Sequence, residues 1–229
     1  ITATIEPGTQ LAIVGPSGAG KTTLLQTLCG LRAPDSGRIM IDDVDLADIP
    51  LAQIGHHIGH VSQDVGIIRA SIAENIRLGH EDSDPAAIEE ALRKAQLSDR
   101  VHQLPQGVDT VLDQDTTFSG GERQRLALAR AFFATPGTLL LDEPTAFADL
   151  ESEALIDAAL AQAPRNVADA GGERPTVIRI DHRLGFAREA DVVWVLEDGH
   201  LVQAGSPAEL AADSEGRFAA LCRAREVSA

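Results

Sequence analysis

Residues 11–25 read LAIVGPSGAGKTTLL, and the rest of the chain can be read outward from them. Leu11–Val14 is a short apolar run of the kind that forms a buried strand. Gly15 to Gly20 is then loop. A helix is expected from Lys21, with Leu24, Leu25 and Leu28 turned inward and a stop at Gly30. Two glycines with four residues between them, followed by Lys and Thr, match the phosphate-loop pattern. The strand before and the helix after are the context that pattern requires. Glycine lets successive backbone N–H groups turn inward around phosphate oxygens. The helix N-terminus adds a partial positive charge. This places Gly15, Pro16, Ser17, Gly18, Ala19, Gly20, Lys21, Thr22 and Thr23 around a bound triphosphate. Lys21 is expected to reach the β- and γ-phosphates, and the Thr22 hydroxyl to ligate Mg²⁺.

Further along, Leu139–Asp142 is an apolar strand that ends in an acid, followed at once by Glu143. Asp142 is expected to hold Mg²⁺, and Glu143 to polarise an attacking water. Ser119-Gly120-Gly121-Glu122 makes an S-x-x-E capping box at the start of a helix running to about Ala134. A glycine-rich helix N-terminus is also an anion site, and both readings can hold together.

Around these motifs, strand character appears at Thr138–Leu141, Val177–Ile180 and Val192–Leu196. Asp198-Gly199 is a hairpin signal before Leu201–Val202. Ile1–Ile5 reads like the end of a strand, and Pro164–Pro175 like a polar loop. The stretch from about Ile67 to Pro136 reads as mostly helical. Within it, Asp84-Pro85 is an N-cap followed by Pro at N1, and Ile88, Ala91, Leu92 and Ala95 form one apolar face. Strands alternating with helices predict an α/β core with a mostly parallel sheet. The expected division is a core of residues 1–66 and 137–229 with an inserted α-helical subdomain at 67–136.

Bulk composition narrows the function classes. The chain has 229 residues, enough for one large domain or a core with a subdomain. A net charge of −16 makes it a poor candidate for binding nucleic acid or anionic lipid directly. No apolar run approaches the roughly 18 residues needed to span a bilayer. Cys29 and Cys222 fit neither a disulfide framework nor a metal site.

Taken in order, Gly15–Thr22, Gln63 within HVSQD, FSGGERQR at Phe118–Arg125, LLLDEP at Leu139–Pro144 and His182 resemble the nucleotide-binding domain of ATP-binding cassette (ABC) proteins. The resemblance covers nearly the whole chain. It implies a P-loop NTPase (RecA-like) core, ATP and Mg²⁺ as ligands, and ATP hydrolysis coupled to transport. It implies that Glu143, His182 and Gln63 are catalytic, and that Thr22, Gln63 and Asp142 face the metal. It implies that Ser119, Gly120, Gly121 and Glu122 bind the γ-phosphate of ATP held by a second cassette, and that Asp149 sits at the seam between the two. The family's pattern usually begins with Leu and ends with Gln where this chain has Phe118 and Glu122. Phe147 and Ala148 stand where Ala and Leu are common.

Ser71–Ile76 (SIAENI) is similar to a stretch of exporter-type cassettes. The implied setting is the cytoplasmic face of a membrane, with a transmembrane domain in the same chain or as a separate subunit. The adenine-stacking aromatic normally lies upstream of the position of Ile1, so an excised domain is expected. The other readings are a soluble ABC ATPase of DNA repair or translation, a weakly hydrolysing regulatory cassette of a heterodimer, and an importer motor.

Overall fold

The computed structural model describes the chain except residues 79, 81–83, 114–117, 147, 162–174, 181–183 and 227–229. In chain order it contains β1 (Gln10–Val14), α1 (Lys21–Leu28), β2 (Met40–Ile41), β3 (Val44–Asp45), α2 (Leu51–His57) and β4 (Ile58–Val61). There follow α3 (Ile72–Arg77), α4 (Pro85–Lys94), α5 (Ser98–His102), α6 (Gly120–Phe133), β5 (Thr138–Asp142) and α7 (Leu150–Ala161). The last third adds β6 (Thr176–Ile180), α8 (Gly185–Glu189), β7 (Val192–Glu197), β8 (His200–Gly205), α9 (Pro207–Ala212) and α10 (Arg217–Glu226).

Six strands form one sheet in the order β4-β5-β6-β1-β7-β8. All neighbours are parallel except β7 and β8, which form the hairpin turned by Asp198-Gly199. Both turn residues have positive φ, 48° and 78°, which a two-residue hairpin turn of the I′ kind demands. Parallel strands are covered on both faces, so they read as continuous apolar runs. Alternate side chains nevertheless divide cleanly. Leu11, Ile13, Leu140, Ile178 and Trp194 pack on one face with Leu25 of α1. Leu139, Leu141 and Val177 pack on the other with α4, α6 and α7, and Ala12, Val14, Val193 and Val195 continue that face under α8 to α10, where Ala187, Leu210 and Phe218 cover them.

The expected helical middle is present, and α3 to α6 fill it. Asp84 caps α4 by accepting from Ala86 N at 3.0 Å, and Ile88, Ala91, Leu92 and Ala95 are all buried. One expectation fails. Ile1–Ile5 forms no strand, because no described strand lies beside it to pair its backbone groups. Only Ile5 packs on the core. The loop expected at Pro164–Pro175 falls almost wholly outside the described residues.

The short strand β4 was not legible in the sequence. It follows α2 with no intervening loop, and its centre is Gly59, where a Cβ would lie 2.8 Å from Pro136 Cγ. The connection from β4 into α3 is pinned by buried Asn75. Its Oδ1 accepts from Ile68 N at 3.0 Å, and its Nδ2 donates to the carbonyls of Ile68, Ala70 and Ser71 at 3.0, 3.3 and 3.0 Å. Asn75→Ala would remove four hydrogen bonds that hold the Ile68–Ser71 turn, each contributing about 0.5–1.5 kcal/mol net, since Ile68 itself is half exposed. The expected loss is about 2–4 kcal/mol, seen as a fall of about 10 °C in the thermal midpoint. A midpoint unchanged within about 2 °C would show that the loop is held by other contacts.

Candidate functional site: a phosphate cradle at the carboxyl ends of the strands

The loop after β1 takes the conformation its glycines allow. Gly15, Gly18 and Gly20 have φ of 150°, 81° and 91°. Gly15 is required for a second reason, since a Cβ there would overlap the Leu196 carbonyl oxygen of β7. The β7–β8 turn supports the same loop from behind, where Gly199 N donates to Ala19 O at 3.1 Å. Lys21 is 6% exposed and folds back on the loop. Its Nζ donates to the carbonyls of Gly15 at 3.0 Å and Pro16 at 2.9 Å. Burial pushes its pKa down, and the nearby Glu143 and Asp142 carboxylates pull it back up.

Over this loop lies an open cavity of about 490 Å³. Ser17, Gly18, Gly20, Lys21, Thr22 and Thr23 line one side, and Gln63 and Glu143 the other. Gly15, Pro16 and Ala19 lie behind that lining; Gly15 and Pro16 hold Lys21 with their carbonyls, and Ala19 is buried against the hairpin.

Asp142 ends β5, two strands from β1, with β6 between them. At about 4.8 Å per strand this is a span of about 10 Å, which the loop and Lys21 bridge. Asp142 is 4% exposed. Burial pushes its carboxyl above the usual range; a hydrogen bond from the Thr22 hydroxyl opposes this, and the Glu143 charge adds to it. One carboxylate oxygen, Oδ1, is buried with no hydrogen-bond partner. An orphaned carboxylate oxygen beside a threonine hydroxyl, under a cavity lined by Gln63, suits a hard cation bound by oxygen donors. Thr22, Asp142 and Gln63 are therefore a donor set that fits Mg²⁺.

Glu143 has φ of 50°, a left-handed backbone that costs a non-glycine residue of order 1–3 kcal/mol. The carboxylate that faces the cavity is thus held in a strained turn between β5 and Pro144.

The remaining candidates do not line this cavity. Ser119 caps α6, with Glu122 N donating to Ser119 Oγ at 3.1 Å and Ser119 N donating to Glu122 Oε2 at 2.7 Å. Ser119 is exposed and takes no part in lining the cavity over the phosphate loop of the same chain. Gly121 is packed so tightly that a Cβ would strike the Ser152 side chain of α7. Asp149 is exposed and caps α7, accepting from Ser152 N at 2.8 Å. His182 and Phe147 lie outside the described residues. The strand leading to His182, β6, ends between β1 and β5, at the sheet edge that carries the cavity.

A glycine loop, a strand-end acid pair and a capped FSGGE helix thus belong to one mostly parallel α/β fold with α3 to α6 between β4 and β5. The sequence profile of the ABC transporter family matches residues 1–146. The chain belongs to the ABC transporter family.

It is the ATP-binding, ATPase domain of that family. It is 40% identical over 221 residues to the mycobactin import ATP-binding/permease protein IrtA of Mycolicibacterium thermoresistibile, covering 96% of this chain and 23% of that protein. Identity is 40% over 218 residues with the ATP-dependent lipid A-core flippase of Chromohalobacter salexigens, covering 95% of this chain and 36% of the flippase. It is 42% over 218 residues with the β-(1→2)glucan export ATP-binding/permease protein NdvA of Rhizobium meliloti, covering 95% and 36%. A solved bacterial Atm1-family ABC exporter with ATP bound superposes with a TM-score of 0.83 at 34% identity, covering 96% of this chain and 37% of that one. The chain thus spans roughly a quarter to a third of the length of these relatives. No helix among the described residues is long and apolar enough to cross a membrane.

The sequence reading of this ABC domain missed several side chains that position the site. Gln124 of α6 donates to the Gln63 carbonyl at 2.9 Å, tying the FSGGE helix to the cavity wall. Arg179 of β6 is 3% exposed; it bonds Asp157 at 2.6 Å and stacks 5.0 Å from the Phe186 ring centroid. Arg100 of α5 bonds Glu122 at 2.7 Å. Each pairs residues distant in sequence, and no local pattern marks them.

Proposed function

We propose that this chain is the ATP-hydrolysing motor of an exporter-type transporter, working at the cytoplasmic face of a membrane through a transmembrane domain in the same polypeptide or a separate subunit. We also infer that it acts as a pair of cassettes. The observation that carries the pairing is geometric. The cavity, lined by the phosphate loop with Gln63 and Glu143, is open, and the capped Ser119–Glu122 segment takes no part in its lining while its first residue, Ser119, is exposed. Two copies related by symmetry would close two cavities, each with the other's segment. The naming of the relatives as ATP-binding/permease proteins, and the length they have beyond this domain, support the membrane partner.

In this reading Lys21 leaves the Gly15 and Pro16 carbonyls for the β- and γ-phosphate oxygens. Loop N–H groups from Ser17 to Thr23 hold the triphosphate in place. Thr22 and Asp142, with Gln63 beside them, would hold Mg²⁺, which would supply positive charge against the phosphate oxygens. Glu143 accepts the proton of the water that attacks the γ-phosphorus, and His182 assists. Little covalent work falls to the protein; positioning and charge do most of it.

Pairing is tested by light scattering of the purified chain. Without nucleotide a monomer is expected; with Mg-ATP, a dimer. Ser119→Arg should abolish that dimer while the chain stays folded, since the lost α6 cap costs only about 0.5–2 kcal/mol. A stable dimer formed without nucleotide, or one that Ser119→Arg leaves intact, would contradict the reading.

A further inference from the structure

The α6 N-terminus carries a charge problem that a residue outside the FSGGE motif solves. Glu122 closes the capping box, and a carboxylate in the first turn suits the helix dipole. The same carboxylate would repel a phosphate arriving at Ser119. Glu122 stands where the family pattern has an uncharged glutamine, so this chain brings a negative charge to a place meant for an anion.

Arg100, on the short helix α5, answers it. Its Nε bonds Glu122 Oε1 at 2.7 Å, leaving Oε2 for Ser119 N. Its Cζ lies 5.9 Å from the ring centroid of buried Phe118, the residue just before the cap. The Glu122 side chain is 16% exposed and that of Arg100 35%, so the pair is partly shielded from solvent and salt. Burial would raise the Glu122 pKa, but the bonds from Ser119 and Arg100 outweigh it and the group stays a carboxylate. The guanidinium is thus the hydrogen-bonded counter-charge of a carboxylate that persists at neutral pH, while Arg125, also near Glu122, is shared with Asp149 and Glu151.

We propose that Arg100 is a positioning residue for ATP-driven pairing: it neutralises and orients Glu122 so that the Ser119–Glu122 segment can receive the triphosphate bound by a second cassette. The inference rests on the pairing described under Proposed function. Arg100 touches no nucleotide; it acts through Glu122.

The test is a double-mutant cycle on this chain, read as the Mg-ATP concentration that gives half-maximal dimer in light scattering. Arg100→Ala should raise that concentration about tenfold, the scale of one uncompensated charge at a partly solvated contact. Adding Glu122→Gln to Arg100→Ala should return it to within about twofold of the Glu122→Gln single variant, because no unbalanced charge is left. The Arg100→Ala defect should also shrink as ionic strength rises from about 0.05 to 0.5 M, since repulsion is screened and lost packing is not. Arg100→Gln, which keeps more of the side chain over Phe118, should behave like Arg100→Ala and guards against a folding failure. An Arg100→Ala defect that Glu122→Gln does not relieve, or that salt leaves unchanged, would mean the pair is merely structural and overturns the proposal. So would unaltered pairing in Arg100→Ala while Ser119→Arg still abolishes it. Pairing that survives Ser119→Arg is a separate result, which removes the docking reading itself and Arg100's role with it.

Discussion

Lys21→Ala should weaken ATP binding by about 100- to 1,000-fold and bring hydrolysis below detection. A charge-assisted hydrogen bond contributes about 1.5–3 kcal/mol, and Lys21 is placed to make two with phosphate oxygens. Part of that is offset, because the free protein already uses the ammonium at the Gly15 and Pro16 carbonyls, 3.0 and 2.9 Å away. A net loss of about 3–4 kcal/mol corresponds to the range stated. The fold should survive, since Gly15 is only half-buried and Pro16 is exposed, so water can reach the two carbonyls released. Calorimetric titration with Mg-ATP measures the affinity, and a thermal melt checks the fold. An affinity within about threefold of the parent would sink the assignment of Gly15–Thr22 as the phosphate cradle.

Glu143→Gln should leave ATP affinity within a few-fold and lower turnover by about 100- to 10,000-fold, the usual contribution of a positioned base. The amide keeps the size of the side chain but cannot take the proton. The substitution also separates chemistry from backbone strain. Glu143 sits at φ 50°, and glutamine meets the same steric cost there, so loss of turnover could not be assigned to relaxation of the turn. Removing one carboxylate near the γ-phosphate should also stabilise the ATP-bound pair of cassettes. Size-exclusion chromatography with Mg-ATP should therefore show more dimer than the parent chain shows. Parent-like turnover in a single-turnover assay would remove Glu143 from the catalytic role.

Much of this site could be read one residue after another. The phosphate loop, the Asp142-Glu143 strand end, the Ser119–Glu122 cap and the Asp198-Gly199 turn are each a local pattern in which residue type and conformation are coupled within a few positions. Glycine at Gly15, Gly18 and Gly20 meets a steric demand of its own peptide units, and a capping box joins groups three residues apart. The apolar runs alternating with helices likewise pointed to an α/β core with a mostly parallel sheet.

Other features were settled only when the chain closed on itself. Strand order put β6 between β1 and β5, and so decided that Asp142 stands opposite the phosphate loop. Gly15 proved to be limited by the Leu196 carbonyl, 181 residues away, and the β7–β8 turn proved to be the support of Ala19. The strand β4 exists because β5 offers it a ladder, whereas Ile1–Ile5 has no such neighbour and stays irregular. The pairs Arg100–Glu122, Gln124–Gln63 and Arg179–Asp157 span 22 to 61 residues. Contacts of that kind follow from the packing of elements rather than from the spacing of residues. Periodicity could therefore show which side chains turn inward, while their partners were fixed by tertiary structure alone.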